Sequence, residues 1–283
     1  MPHITTGDGT RLFYKDWFAG SAGATPRDAP GPIVFIHGWP LNADMWEYQM
    51  TPLARQGLRT IAYDRRGFGR SDQPSGPYDY DVFADDLKSL LDELDLQDAT
   101  LVGFSMGGGE IARYLSRHGG ARIGRVALVS SVVPFVLKTP DHPDGVDRSV
   151  FDQMIGQLED DRPHFLNEFG KLFFGAGLLG SPVSSAIMQW TLFMALQASP
   201  LATIDCVRAF SETDFRGDLA AFKIPTLVIH GTGDKTVPAG VTGDAVAAAL
   251  PHATYLRYES APHGLFMTDK DRLTEDLARF ARS

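Results

Sequence analysis

Cysteine is almost missing from this chain of 283 residues, which holds one, Cys206. A single thiol excludes a disulfide framework within the chain and leaves a cysteine-based metal site without ligands. Basic residues are also in the minority, with 26 Lys and Arg against 35 Asp and Glu and a net charge of -9. A nucleic-acid binder needs a basic footprint to displace counterions, and neither a Lys/Arg run nor the overall sign provides one. The acidic balance reads more simply as solubility. Long apolar runs are lacking too. The most apolar region, 178–207, is broken by Pro182, Gln189, Gln197, Pro200 and Asp205, so no segment reaches the roughly 18 residues of a membrane span. The opening residues Met1-Pro2-His3-Ile4-Thr5-Thr6 show no basic region followed by an apolar stretch, and a signal peptide is not expected. These absences set the expectation of a soluble, cytoplasmic protein with no nucleic-acid and no membrane partner.

What is present is an ordinary globular composition, 43% hydrophobic and 22% charged, in a chain long enough to bury a substantial core. Residues 3–18 alternate around Gly7-Asp8-Gly9, which predicts a hairpin, and 19–31 is rich in Gly, Ala and Pro and predicts a surface loop. A repeating pattern follows. Short apolar runs at 33–36, 60–63, 99–104 and 125–129 suit buried strands. Segments 43–56, 80–94 and 106–117 suit helices, the second with Val82, Phe83, Leu87, Leu90, Leu91 and Leu94 at helical spacing.

From 132 to 215 the sequence is helical in character and rich in aromatics, with no clear strand. The strand–helix pattern resumes with strands at 225–229 and 254–258 and helices at 244–250 and 271–282. The expected architecture is therefore α/β: a mostly parallel eight-stranded sheet flanked by helices. The domain reading is a core of 1–131 and 216–283, with a helical cap, 132–215, inserted after strand 6.

Gly103-Phe104-Ser105-Met106-Gly107 is the only G-x-S-x-G in the chain, and it lies between an apolar strand and a helix opened by Gly107-Gly108-Gly109. A sharp strand-to-helix turn lifts a serine hydroxyl out of the sheet, and the helix N-terminus faces developing negative charge. A nucleophilic serine needs a base, and the base needs an orienter. Of eight histidines, His263 is the best placed, in Ser260-Ala261-Pro262-His263-Gly264 just after the last strand. His252 falls at the wrong end of the sheet, and His230, within a strand, reads as a packed, hydrogen-bonded residue. Asp234 closes Ile229-His230-Gly231-Thr232-Gly233-Asp234, again just past a strand. Ser105, Asp234 and His263 thus all fall at carboxyl ends of strands, where open α/β sheets bind ligands. The other usual place for the acid, after strand 6, reads Ser130-Ser131-Val132 and offers no carboxylate.

An oxyanion hole needs two backbone N–H donors. Met106, following the nucleophile, is one candidate. The loop His37-Gly38-Trp39-Pro40 supplies the other, Trp39, because Pro40 has no N–H. Asp64-Arg65-Arg66-Gly67-Phe68-Gly69-Arg70-Ser71-Asp72 is read as a hydrogen-bonded structural turn, since buried loop backbone needs such partners.

Taken together, His37-Gly38-Trp39-Pro40-Leu41 with Met45-Trp46-Glu47, the Asp64 to Asp72 turn, Leu101 to Gly109, Thr213-Asp214-Phe215-Arg216, Val228-Ile229-His230-Gly231, Asp234 and Ala261-Pro262-His263-Gly264 resemble the α/β-hydrolase superfamily. They resemble most closely its branch of bacterial arylesterases and cofactor-free haloperoxidases, or perhydrolases. The resemblance implies hydrolysis of small carboxylic esters by an acyl-enzyme, without cofactor or metal. It also implies a side reaction in which hydrogen peroxide replaces water and releases a peracid that oxidises halide in solution. Homo-oligomers are common in that branch, so self-association is expected. Haloalkane dehalogenases and epoxide hydrolases share the His-Gly-x-Pro loop but carry Asp as nucleophile, and Ser105 argues against both.

The cap aromatics Phe135, Phe151, Phe165, Phe169, Phe173, Phe174, Trp190 and Phe193 supply apolar surface for a lid. Trp39, Met106, Phe135 and Val136, beside motif positions, are the expected substrate contacts, in a pocket suited to aryl or short-acyl esters. Two alternatives stand beside this reading. A lactonase, small-lactam amidase or C–C hydrolase would use the same residues, and a non-catalytic ligand-binding protein would leave them idle.

Overall fold

The structure, a computed structural model, describes residues 1–18, 30–177 and 180–283. Most of the loop expected over 19–31 lies outside the described residues. Eight strands form one sheet: β1 (His3–Thr5), β2 (Arg11–Trp17), β3 (Ile33–Ile36), β4 (Thr60–Tyr63), β5 (Ala99–Phe104), β6 (Ile123–Val129), β7 (Thr226–Gly231) and β8 (Thr254–Tyr258). Their order is β1-β2-β4-β3-β5-β6-β7-β8. The expected hairpin pairs β1 with β2, and β2 meets β4 antiparallel. Every other pairing is parallel. Strands β3, β4, β5 and β7 are buried at every position, which is why they read as unbroken apolar runs.

Nine α-helices accompany the sheet among the described residues: α1 (Glu47–Arg55), α2 (Tyr80–Glu93), α3 (Met106–His118), α4 (Arg148–Phe173), α5 (Ser185–Leu196), α6 (Pro200–Glu212), α7 (Gly243–Ala249), α8 (Leu265–Thr268) and α9 (Lys270–Ala281). Helix α2 starts where Asp79 accepts a bond from the Val82 N–H, and it buries Phe83, Leu87, Leu90 and Leu91, four of the six periodic residues of the sequence, while Val82 and Leu94 are half-buried. Helices α4, α5 and α6 occupy the stretch between β6 and β7. Helix α4 kinks at Asp161, φ -143° and ψ 81°. Pro163 follows it by two residues and cannot donate into the helix ladder. The Asp161 carboxylate accepts the His164 N–H at 3.0 Å and so caps the second half.

Two elements differ from expectation. The helix expected over 43–56 opens as a 3-10 turn, Ala43–Trp46, in which the Met45 N–H donates to the Asn42 carbonyl at 3.2 Å and the Ala43 N–H, free at a helix start, to Asp64 Oδ1 at 2.8 Å. Helix α8 has four residues, too few for a periodicity to register.

The Asp64 to Asp72 turn spends most of its charges inside the fold, Asp72 pairing with Arg11 at the surface. Asp64 accepts from Ala43, from the Arg70 N–H and from Arg70 Nε, each at 2.8 Å. Arg66 makes a bidentate pair with Asp86 at 2.6 Å. Arg65, fully buried, donates to Glu110 Oε2 at 2.7 Å and to the His37 carbonyl at 3.0 Å. His37 is sealed in the same place. Burial, and then the Arg65 charge, hold its imidazole well below the usual range, so the ring is neutral. Its Nε2 accepts the Arg65 N–H at 3.0 Å, and its Nδ1 bonds the Gly38 carbonyl at 2.9 Å. Sequence, ion pairing and ring tautomer together lock the loop that follows β3.

Candidate active site

Ser105 stands between β5 and α3 with φ 53° and ψ -119°, a strained conformation for a residue with a Cβ. The fold holds it there. The Ser105 N–H donates to the Val129 carbonyl at 2.9 Å, and the Ser105 carbonyl accepts from Gly108 at 3.0 Å and Val132 at 3.2 Å. The turn is tight enough to demand glycine at 107, where a Cβ would sit 2.6 Å from the Ile36 carbonyl oxygen.

Asp234 lies in the turn after β7. Its Oδ1 accepts the Thr236 N–H at 2.9 Å and the Val237 N–H at 2.8 Å. Its Oδ2 meets His263 Nδ1 at 2.6 Å. His263, from the loop after β8, places Nε2 3.0 Å from Ser105 Oγ. Three residues far apart in the chain therefore stand in one hydrogen-bonded row, exposed by 6%, 7% and 1% for Ser105, Asp234 and His263. Burial works to raise the Asp234 carboxyl. The His263 charge, the approach of His230 Nε2 and the His263 hydrogen bond outweigh it and hold the group well below the usual carboxylate range. An ionised carboxylate can only accept, so Nδ1 of His263 carries the hydrogen and Nε2 offers its lone pair to the serine.

The Trp39 loop closes over the nucleophile. A Cβ at Gly38 would fall 2.6 Å from Phe104 Cδ1 and 2.9 Å from Ser105 Cβ. Gly38→Ala is therefore expected to push the loop away. Its kcat/KM should drop by about 10²–10³, as when one oxyanion donor is lost, with about 1–3 kcal/mol of stability lost to overpacking. Steady-state kinetics beside a urea melt checks this, and wild-type kinetics in the variant would count against it. Among the described residues, the Trp39 and Met106 N–H groups donate to no main-chain acceptor in loops, turns or caps. The Trp39 indole donates to the Thr203 carbonyl of α6 at 2.9 Å, tying this loop to the helices between β6 and β7.

Phe135 and Val136 are buried. The Phe135 ring packs on His142 at 5.4 Å and under the Arg216 guanidinium at 5.2 Å. Val136 gives its carbonyl to the Val146 N–H. A cavity of about 20 Å³, the space of roughly one water, lies between Pro40-Leu41 and α4–α5, with Leu166, Phe169, Phe173 and Met188 in its wall. Its wall includes none of Ser105, Asp234, His263, Trp39, Met106, Phe135 and Val136.

A family model described as alpha/beta hydrolase fold matches residues 31–270. The chain belongs to the α/β-hydrolase family. A non-heme chloroperoxidase of Kitasatospora aureofaciens is 43% identical to this hydrolase over 99% of each chain. A bifunctional esterase/perhydrolase of Acinetobacter calcoaceticus is 37% identical over the whole of both. The crystal structure of a bromoperoxidase from Bacillus anthracis superposes with a TM-score of 0.93 at 42% identity, covering 100% of this chain and 99% of that one. The resemblance to the haloperoxidase and esterase branch, drawn from the motifs, is borne out.

In this hydrolase the sequence reading missed Phe104 and Phe210 as neighbours of the site, and it named Phe165, Phe169 and Phe173 only as lid surface. Phe104 and Phe173 flank the His263 ring at 4.8 and 5.0 Å. Phe169, Phe210 and Phe165 surround the Trp39 ring at 5.3, 5.7 and 6.5 Å. A signal existed, since Phe165, Phe169 and Phe173 recur at spacing four and so share one face of α4.

Proposed function

We propose that this hydrolase is a serine esterase acting on small carboxylic esters, aryl or short-acyl, through an acyl-enzyme, with a perhydrolase side activity. The observation that carries the proposal is the Ser105–His263–Asp234 row, with 3.0 and 2.6 Å steps at the strained strand-to-helix turn. His263 takes the Ser105 proton as Oγ attacks the ester carbonyl. The negative oxygen is received by the Met106 and Trp39 N–H groups. The C–O bond to the alcohol breaks as His263 returns the proton to it.

Water then gives a proton to His263 and attacks the acyl carbon. Ser105 leaves with that proton, and the acid is released. Hydrogen peroxide in place of water follows the same path and releases a peracid. The kinship with an esterase/perhydrolase at 37% identity supports this double use. The apolar surroundings of Trp39 and His263, built by Phe104, Phe165, Phe169 and Phe173, favour uncharged acyl or aryl groups. Residues 132–215 are assigned as a cap over this pocket.

The deciding experiment is a panel of 4-nitrophenyl esters, lactones and lactams, each assayed with and without peroxide. Ester preference, with peracid formed on adding peroxide, supports the reading. A folded enzyme that turns over lactams or lactones in preference, or that turns over nothing, refutes it.

A further inference from the structure

We infer that His230 is a positioning residue for Asp234. The inference rests on the esterase reading above and concerns how its acid is held. His230 is on β7, four residues before Asp234, and is buried. Its Nε2 lies 2.9 Å from the Val237 carbonyl oxygen and 3.4 Å from Asp234 Oδ2. A carbonyl only accepts, so Nε2 carries the hydrogen. Nδ1 has no partner among the described residues. Gly243, at the start of α7, closes over it, and a Cβ there would lie 2.8 Å from Nδ1. The hydrogen bond that the ring makes is therefore the one donated by Nε2.

That N–H faces two acceptors of one small assembly. Its bond to Val237 pins the turn whose Thr236 and Val237 N–H groups hold Asp234 Oδ1. Its longer approach to Oδ2, beyond full hydrogen-bond range, places a positive dipole on the oxygen that His263 uses. His230 thus fixes the aim of the carboxylate and draws off part of its charge. The other ionisable side chains of the surroundings are His263, from the loop after β8, and Asp244 of α7, which is neutralised by Arg257 at 2.6 Å. Lys235, in the same turn as Asp234, is exposed.

Without the N–H, the carboxylate would hold the imidazolium form of His263 more firmly. The base would then be freed only at higher pH. A residue that merely fills space would move neither this limb nor the ratio of kcat to KM.

The test compares wild type, His230→Leu and His230→Gln by hydrolysis of 4-nitrophenyl acetate across about pH 5 to 10, with thermal melting as the control for folding. His230→Leu should lower kcat about tenfold, with KM changed by less than about twofold. Its acid limb of kcat/KM should rise by about half a pH unit. The Gln amide reaches the same acceptors and should recover most of both losses. A folded His230→Leu with wild-type kcat and limb overturns the inference. So does equal impairment of both variants with the limb unmoved.

Should the variants fail to fold, 15N spectra of the wild-type histidines decide. A proton on Nε2 of His230 supports the inference, and one on Nδ1 overturns it. That reading is independent of turnover, so an inactive wild type would refute the esterase proposal without touching the tautomer.

Discussion

Ser105→Ala is expected to lower kcat for 4-nitrophenyl acetate by about 10⁴–10⁶, with KM and melting temperature close to wild type. The substitution removes the hydroxyl that bonds His263 Nε2 at 3.0 Å and leaves the histidine and its carboxylate in place. The backbone strain at φ 53° is the same for two residues that both carry a Cβ, so no stability is released or lost there. The remaining rate would come from the two oxyanion donors and from binding, which still act on an attacking water. No thiol is available as a substitute. Cys206 is fully buried, and burial pushes its thiol far up, away from the reactive thiolate. A fluorophosphonate probe should label the wild type once and the variant not at all. Peracid formation should vanish in step with hydrolysis, because both pass through the same acyl-enzyme. A variant that keeps a tenth of either activity would show that the bond is cleaved by other means.

Chain-local signals made much of this legible beforehand. The four-residue run Ile33-Val34-Phe35-Ile36 is buried throughout and could be read as a strand because no polar residue interrupts it. Ser105, Asp234 and His263 could be chosen because each follows a strand, and parallel strands end on one side of the sheet. Contacts that depend on how the helices between β6 and β7 lie over the core were another matter. The period of α4 names Phe165, Phe169 and Phe173 as one face, but says nothing of what that face meets. It meets Trp39 and His263. Phe135 and Val136 were picked for proximity in sequence to a motif, and proximity does not fix side-chain direction. The packing of the Phe135 ring on His142 and beneath Arg216 needed the coordinates. His230 was read as a packed, hydrogen-bonded residue, and it does bond Val237. Its approach to Asp234 needed the coordinates, since residues four apart at the end of a strand come together only where the following turn folds back.

Asp234→Asn should cost about 10⁴ in kcat while leaving the fold intact near neutral pH. The Asn carbonyl can still accept the Thr236 and Val237 N–H groups at the Oδ1 position. Its NH₂ must then occupy the Oδ2 position, 2.6 Å from His263 Nδ1. Two donors cannot face each other there, so the imidazole adopts the other tautomer, with the hydrogen on Nε2. A ring that already holds a proton toward Ser105 cannot take another from it, and the serine is no longer activated. The pH dependence of stability separates this from a general defect. The wild-type carboxyl is held below its ordinary value, so its ionised form stabilises the fold above the unfolded-state pKa near 4. That contribution fades as pH falls through the lower folded-state value. The wild type should therefore exceed Asp234→Asn in melting temperature at neutral pH, and the gap should narrow in acid. A gap constant across that range would mean that the carboxylate charge contributes nothing to the fold. A variant within tenfold of wild-type kcat would mean that the tautomer of His263 is set by something other than Asp234.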